Sequence, residues 1–213
     1  MKQNLFLACI VVIFLSFPNC YHSDKPSGQY LSILGANVMT RKITIVGDSL
    51  AQWSDGFGLR SRLPAEFSVT DVSVAGYTTE DWLQNKDQLN RIPTDLWILE
   101  LGTNDAMAYG TNGYESRTLD LINFLQSNQI SIVYLTLIPR TNMTSIKETI
   151  RENNETLRKI KLQKEKVDIV DIESIFESYQ GEIPLYPISD PIHPNQIGYD
   201  LMGETYRKKI LGI

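Results

Sequence analysis

Five short apolar runs alternate with amphipathic segments in this chain of 213 residues, and this alternation limits the folds it can adopt. We predict that the runs form strands at Ile43–Val46, Val69–Val74, Leu96–Leu101, Ser131–Leu137 and Val167–Ile172. The first run is rich in β-branched residues, which is typical of a strand that is buried on both faces. Strands and helices that alternate in this way predict a parallel sheet with right-handed crossovers and helices on both faces.

Helices are predicted between these strands and after the last one. They are expected near Phe57–Leu63, Glu80–Asn90, Tyr114–Ser127 and Ser145–Lys164, and from about Asn195 to Leu211. Thr78 and Asp81 have the spacing of a capping box directly before an apolar pair. No internal repeat or second domain is evident, so residues 41–213 are expected to form one α/β domain.

The first twenty residues resemble a bacterial lipoprotein signal. Lys2 is followed by an apolar run, Leu5–Phe17, that fits a secretory signal and is shorter than the ~20 residues of a membrane span. Cys20 ends this leader and is the expected lipidation site, although Pro18-Asn19 stand where strict lipoproteins have small residues. We therefore expect a signal peptide at 1–19, a tether at 20–40 and an exported protein held at the cell envelope. An unlipidated periplasmic or secreted form is the alternative.

Composition excludes several kinds of chemistry. The two cysteines, Cys9 and Cys20, both lie in the leader, so the predicted domain has no disulfide and no thiolate ligand. A net charge of −5 makes nucleic acid an unexpected partner. No glycine-rich dinucleotide motif follows a strand, and we expect neither a metal nor another cofactor.

His193 is the one histidine of the predicted domain, since the other, His22, lies in the tether. Pro191 and Pro194 disfavour helix at the residues that precede them, so Asp190 and His193 are expected in a stiff, extended turn. Pro194 is also well placed as the first residue of the last helix. Such a turn lets the carboxylate reach the imidazole and fix its tautomer. A surface histidine beside the start of a helix is the alternative interpretation.

Ser49, Gly76 and Asn104 each follow a predicted strand. The carboxyl ends of parallel strands share one edge of the sheet, so these residues are expected to converge there, where α/β sheets bind ligands. A serine hydroxyl, a glycine N–H and an asparagine amide together suit nucleophilic attack and stabilisation of an oxyanion. Taken singly, each also has a structural role open to it, as a helix cap, a strand end and a loop residue.

The ordered blocks Gly47-Asp48-Ser49-Leu50, Gly76, Gly102-x-Asn104-Asp105 and Asp190-x-x-His193-Pro194 closely resemble the SGNH (GDSL) hydrolases. The resemblance implies a flavodoxin-like, three-layer α/β/α fold with a five-stranded parallel sheet. It also implies that Ser49 is the nucleophile, His193 the base and Asp190 its partner. Ser49, Gly76 and Asn104 would form the oxyanion hole.

The expected function is hydrolysis of carboxylic esters through an acyl-enzyme on Ser49. The substrate would be a small ester or an ester of a lipid or glycan, as for an esterase, a lysophospholipase or an O-acetyl esterase, and thioesters stay open. A catalytically inactive, envelope-anchored binding module on the same fold is one alternative. A flavodoxin-type FMN protein is another, although its Ser/Thr-rich phosphate loop is absent.

Overall fold

A computed structural model describes residues 41–127 and 131–213; the leader, Cys20 and the predicted tether lie outside these ranges. Its sheet has five parallel strands in the order β2-β1-β3-β4-β5. They are β1 (Arg41–Gly47), β2 (Phe67–Asp71), β3 (Leu96–Glu100), β4 (Ile132–Thr136) and β5 (Val167–Val170).

Eight α-helices connect and flank these strands in the described residues. They are α1 (Ser49–Trp53), α2 (Leu59–Arg62), α3 (Thr79–Gln84), α4 (Thr103–Ala108), α5 (Tyr114–Ser127), α6 (Lys147–Gln163), α7 (Ile172–Glu177) and α8 (Gln196–Leu211). Short 3-10 turns occur at Gly56–Gly58, Lys86–Leu89 and Thr144–Ile146.

The helices cover both faces of the sheet. Successive residues of β1 point to opposite faces, so Ile45 packs with α1, α2, α7 and α8, and Val46 packs with α3, α5 and α6. These layers confirm the predicted α/β class.

The strand order changes direction at β1, which has β2 on one side and β3 on the other. Gly47 at the end of β1 pairs with Glu100 at the end of β3. Doubly wound sheets bind ligands in the crevice outside the strand ends at such a switch point. Ser49 and Asn104 follow β1 and β3, so the fold puts both at this crevice.

The helices and caps in the structure agree in part with those predicted from the sequence. The bounds of α5 and the capping box of α3 are confirmed: Thr78 Oγ1 accepts a hydrogen bond from Asp81 N–H, and the Asp81 carboxylate accepts one from Thr78 N–H. Helices α1, α4 and α7 were not predicted, because five or six residues are too few to show a helical period.

Two predicted boundaries were wrong. Strand β2 ends at Asp71 and not at Val74, and the Asp71 carboxylate accepts a hydrogen bond from Ser73 N–H directly after it. Pro194 was expected to open the last helix. Asn195 is instead the N-cap of α8, accepting a hydrogen bond from Gly198 N–H, so Pro194 lies before the helix. Within residues 41–127 and 131–213, no helix is both long and apolar enough to cross a membrane.

Candidate active site

Ser49, His193 and Asp190 form a continuous row of hydrogen bonds. The Ser49 hydroxyl lies 2.9 Å from His193 Nε2, although the two residues are 144 positions apart in the chain. On the other side of the ring, Nδ1 lies 2.8 Å from Asp190 Oδ2. This is the geometry that a general base needs to take a proton from a serine hydroxyl.

The Asp190 carboxylate is folded back onto the backbone of its own turn. Its Oδ1 accepts hydrogen bonds from Ile192 N–H at 3.0 Å and His193 N–H at 2.9 Å. Partial burial opposes ionisation, but these N–H groups and the imidazole outweigh it and lower the pKa of Asp190. Because the carboxylate is ionised, Nδ1 carries the imidazole proton and Nε2 is free to accept the proton of Ser49.

The loop that follows β4 forms hydrogen bonds with the turn that contains Asp190 and His193. The carbonyl oxygen of Pro191 accepts a hydrogen bond of 2.8 Å from Asn142 N–H and one of 2.5 Å from Thr141 Oγ1. The Asn195 N–H donates to Leu185 O at 2.7 Å on the far side of the turn. The histidine is therefore held by its connections to two other loops as well as by the prolines.

Close packing at the end of β1 requires a glycine two residues before Ser49. A Cβ on Gly47 would lie 2.8 Å from Ala51 Cβ and 2.9 Å from Ser73 Oγ, which is closer than such atoms approach. Asp48 then caps α1 by accepting a hydrogen bond of 2.9 Å from Leu50 N–H. Ser49 is thereby fixed as the first residue of α1, at the edge of the sheet.

Gly76 and Asn104 lie beside the end of β1, where Ser49 follows. Gly76 has φ +84°, and nothing lies within 4 Å of the position of a Cβ, so its backbone faces open space. The Asn104 amide donates hydrogen bonds to Asp48 Oδ2 at 3.0 Å and to Tyr77 O at 3.1 Å. Asn104 thus bridges the residue before Ser49 and the residue after Gly76, and both of its N–H groups have partners in this structure.

A buried salt bridge holds the segment that carries Asn104. The fully buried Asp105 carboxylate accepts hydrogen bonds from Thr79 N–H at 3.0 Å and from Thr79 Oγ1, and it pairs with Arg117 Nη2 at 3.2 Å. These contacts tie α4 to α3 and α5. Asp105 therefore holds the segment that carries Asn104 in place.

Two buried carboxyl groups, Asp48 and Glu100, lie beneath the site and were not predicted as functional residues. They are 0% and 2% exposed, and burial raises the pKa of Asp48 to about 7. Burial, followed by the charge of Asp48, raises the pKa of Glu100 well above its ordinary value. The pair therefore retains a proton near neutral pH, since two adjacent buried carboxylates cannot both ionise cheaply. The sequence signal was a glutamate that ends an otherwise apolar strand.

Gln52 was also missed by sequence reasoning. Its Oε1 accepts a hydrogen bond of 2.9 Å from Ala75 N–H, directly before Gly76. Helix α1 therefore positions the Gly76 loop as well as Ser49. The large Tyr77 side chain that follows packs edge-on against Trp82, with the ring centroids 5.3 Å apart.

No group of three or more potential metal ligands is present among the His, Cys, Asp and Glu residues that the structure describes.

Known proteins share both sequence and fold with this chain. A "Multidomain esterase" of Ruminococcus flavefaciens is 27% identical over 138 residues, which are 61% of this chain and 17% of that protein. A lipolytic protein of the G-D-S-L family from Veillonella parvula has a TM-score of 0.67 at 18% identity, over 80% of this chain and 97% of its own. An acetyl-xylooligosaccharide esterase from Geobacillus has a TM-score of 0.69 at 15% identity, over 81% and 94%. At these identities, the two structures show that the fold is shared.

A family model covers the strands and helices that carry the site. The model of the GDSL-like lipase/acylhydrolase family matches residues 45–201, which include Ser49, Gly76, Asn104, Asp190 and His193. The match extends over most of the chain, and the chain therefore belongs to the GDSL-like lipase/acylhydrolase family.

Proposed function

We propose that this protein is a serine esterase that cleaves carboxylic esters through an acyl-enzyme on Ser49. The observation that carries the proposal is the row of hydrogen bonds from Ser49 Oγ through His193 to Asp190, at 2.9 and 2.8 Å. A serine hydroxyl is a weak nucleophile until a base accepts its proton, and His193 Nε2 is within reach to do so. Membership of the acylhydrolase family supports the same chemistry.

In the acylation step, Ser49 Oγ attacks the ester carbonyl while its proton passes to His193 Nε2. The ionised Asp190 carboxylate holds Nδ1–H and stabilises the imidazolium that forms. The imidazolium then gives its proton to the departing alcohol oxygen, which leaves the acyl group on Ser49. In the second half-reaction, His193 takes a proton from a water molecule that attacks the acyl-enzyme. The imidazolium then returns this proton to Ser49 Oγ as the bond to the acyl group breaks, and the acyl group leaves as a carboxylic acid.

Negative charge develops on the former carbonyl oxygen in both steps. We propose that the N–H groups of Ser49 and Gly76 and the side-chain amide of Asn104 receive it. The open space at Gly76 supports this role. Because the amide of Asn104 already donates to Asp48 and Tyr77, it must share or exchange one of these hydrogen bonds when the oxyanion forms.

The class of ester is proposed more broadly, as a small ester or the ester of a lipid or glycan. The similar protein from Ruminococcus flavefaciens is named an esterase, and the similar Geobacillus structure is that of an acetyl-xylooligosaccharide esterase. These names support ester cleavage, and the second supports O-acetylated sugars as substrates.

We also propose that the protein is exported and attached to the cell envelope by lipid on Cys20. The apolar run Leu5–Phe17 and the cysteine after it support this. Metabolic labelling with an alkynyl fatty acid should mark the wild type and leave Cys20→Ser unlabelled. Equal labelling of both forms would contradict lipidation at this residue.

Hydrolysis of p-nitrophenyl acetate by the purified protein tests the catalytic assignment. We expect Ser49→Ala to lower kcat/KM by at least about 10⁴-fold, and His193→Ala to lower it nearly as much, because a nucleophile and its base act as a unit. Circular dichroism should show both variants folded.

The exposed serine variant Ser61→Ala is the matched control and should keep the wild-type rate. A serine-reactive phosphonate should label the wild type and not Ser49→Ala. Full activity of Ser49→Ala would refute the proposal, and a wild type that the phosphonate fails to label would favour an inactive binding module.

A further inference from the structure

Trp53 places a solvent-exposed aromatic ring beside the catalytic row. Its indole packs on the His193 imidazole, with ring centroids 4.1 Å apart and planes inclined by 38°, yet 59% of the residue remains exposed. An aromatic ring that contacts the proposed base and is open to solvent is within reach of a substrate bound at Ser49, and its face can pack on that substrate. We propose that Trp53 is the platform for the alcohol part of the substrate, and that it selects a pyranose ring.

The direction of proton transfer puts the alcohol on this side of Ser49. His193 must deliver its proton to the leaving oxygen, so that oxygen lies against the imidazole when the ester bond breaks. The carbonyl oxygen lies on the other side, towards Gly76 and Asn104. A group attached to the leaving oxygen therefore extends past His193, and the exposed ring next to His193 belongs to Trp53.

Helix α1 holds this ring at a fixed position relative to the nucleophile. Ser49 and Trp53 are four residues apart on the helix, so their side chains share one side of it. Ser54 Oγ donates to Leu50 O at 2.7 Å and accepts from Phe57 N–H at 3.0 Å, which closes the helix directly after Trp53. The platform is therefore preorganised, and binding does not have to order it.

The shape and exposure of the indole suit a sugar. A pyranose has a flat face of C–H groups that packs on an aromatic ring, while its hydroxyl groups project from the edge and stay hydrated. A single exposed ring gives a straight alkyl chain little cover from water, since apolar ligands are bound in concave, enclosed sites. The inference rests on the proposed esterase function, to which it adds the alcohol that leaves.

Fluorescence measures contact with Trp53 without turnover. The chain has three tryptophans, and the other two, Trp82 and Trp97, are 0% and 1% exposed, so the solvent-sensitive emission comes from Trp53. Titration of Ser49→Ala with O-acetylated xylotriose should shift the emission to shorter wavelength and saturate. The shift should be absent in Ser49→Ala combined with Trp53→Phe. An emission spectrum of Ser49→Ala that does not change on titration would overturn the inference.

Steady-state kinetics show whether Trp53 binds the alcohol part of the substrate or only supports His193. For Trp53→Leu, we expect the ratio of kcat/KM for acetylated methyl xyloside to that for ethyl acetate to fall about tenfold, as for loss of one aromatic contact. Trp53→Phe should restore part of the ratio. Leu162→Ala, which changes an apolar side chain with 81% exposure on α6, is the control and should keep the wild-type ratio.

An unchanged ratio, with both esters slowed equally, would mean that Trp53 acts through His193 alone, and the inference would be wrong. Failure of the esterase proposal gives a different result. In that case the wild type cleaves neither ester and the phosphonate does not label it, while the fluorescence titration of Ser49→Ala still reports contact with Trp53.

Discussion

Replacing Asp48 with asparagine should change how the stability of this protein depends on pH. Asp48 is fully buried, and burial, with a further contribution from the charge of Asp105, raises its pKa from 3.8 to about 7. The folded protein therefore holds this proton more tightly than the unfolded chain does. The stability that comes from it is complete below about pH 4 and is lost as the pH rises towards 7.

The size of the effect follows from the difference between the two pKa values. A rise from 3.8 to about 7 corresponds to about 4 kcal/mol of unfolding free energy. Asp48→Asn removes this titration, and it also lowers the pKa of Glu100 because the neighbouring negative charge is gone. Relative to the wild type, the variant should therefore gain about 4 kcal/mol between about pH 4 and pH 8.

At the acidic end, Asp48→Asn should be the less stable protein. Asp48 Oδ2 accepts a hydrogen bond from Asn104 Nδ2, and one orientation of the new amide would set two donors face to face. The other orientation would lose the cap on Leu50 N–H. Either conflict costs about 1–3 kcal/mol, independent of pH.

Urea denaturation at a series of pH values measures both effects. Glu182→Gln removes an exposed carboxylate and is the control, whose unfolding free energy should follow the wild type throughout. If the curves for Asp48→Asn and the wild type run parallel from pH 4 to pH 8, Asp48 ionises alike in the folded and unfolded states. The reasoning from burial would then be refuted.

Two further variants test the supports of the site. Gln52→Ala removes the acceptor for Ala75 N–H, so the loop that carries the Gly76 N–H is free to shift. We expect kcat for p-nitrophenyl acetate to fall about tenfold with little change in KM. An unchanged kcat would contradict this. Gly47→Ala forces a Cβ to within 2.8 Å of Ala51 Cβ and 2.9 Å of Ser73 Oγ, and it should cost about 1–3 kcal/mol of stability in urea denaturation. A Gly47→Ala protein as stable as the wild type would show that the end of β1 can widen.

The fold was predictable because its signals are repeated along the chain. β-Branched apolar runs such as that of β1 are separated by helices long enough to show their own period, such as α5. The short helices α1, α4 and α7 could not be found in this way. Each is set by tertiary contacts and a local cap, such as the hydrogen bond from Ser174 N–H to Asp171 at the start of α7.

The sequence predicts site residues where few residue types can carry out the chemistry. Ser49 follows a strand, and Asp190 and His193 lie in a turn that contains two prolines. The structure brings the three residues together, and their catalytic roles are predictions. Gln52 and Trp53 could not be predicted, because their importance depends on the direction of α1. A sequence does not show which way so short a helix points.

The long separation between Ser49 and His193 also has a consequence during translation. At about 5–20 residues per second, the 144 positions between them take on the order of 10 s to synthesise. Strands β3, β4 and β5 lie one after another in the sheet on the same side of β1, and the residues of all three are synthesised during this time. The nascent chain thus carries its serine hydroxyl without a base until the last turn has left the ribosome. The proposed hydrolytic activity therefore depends on a residue that is synthesised after every strand of the sheet.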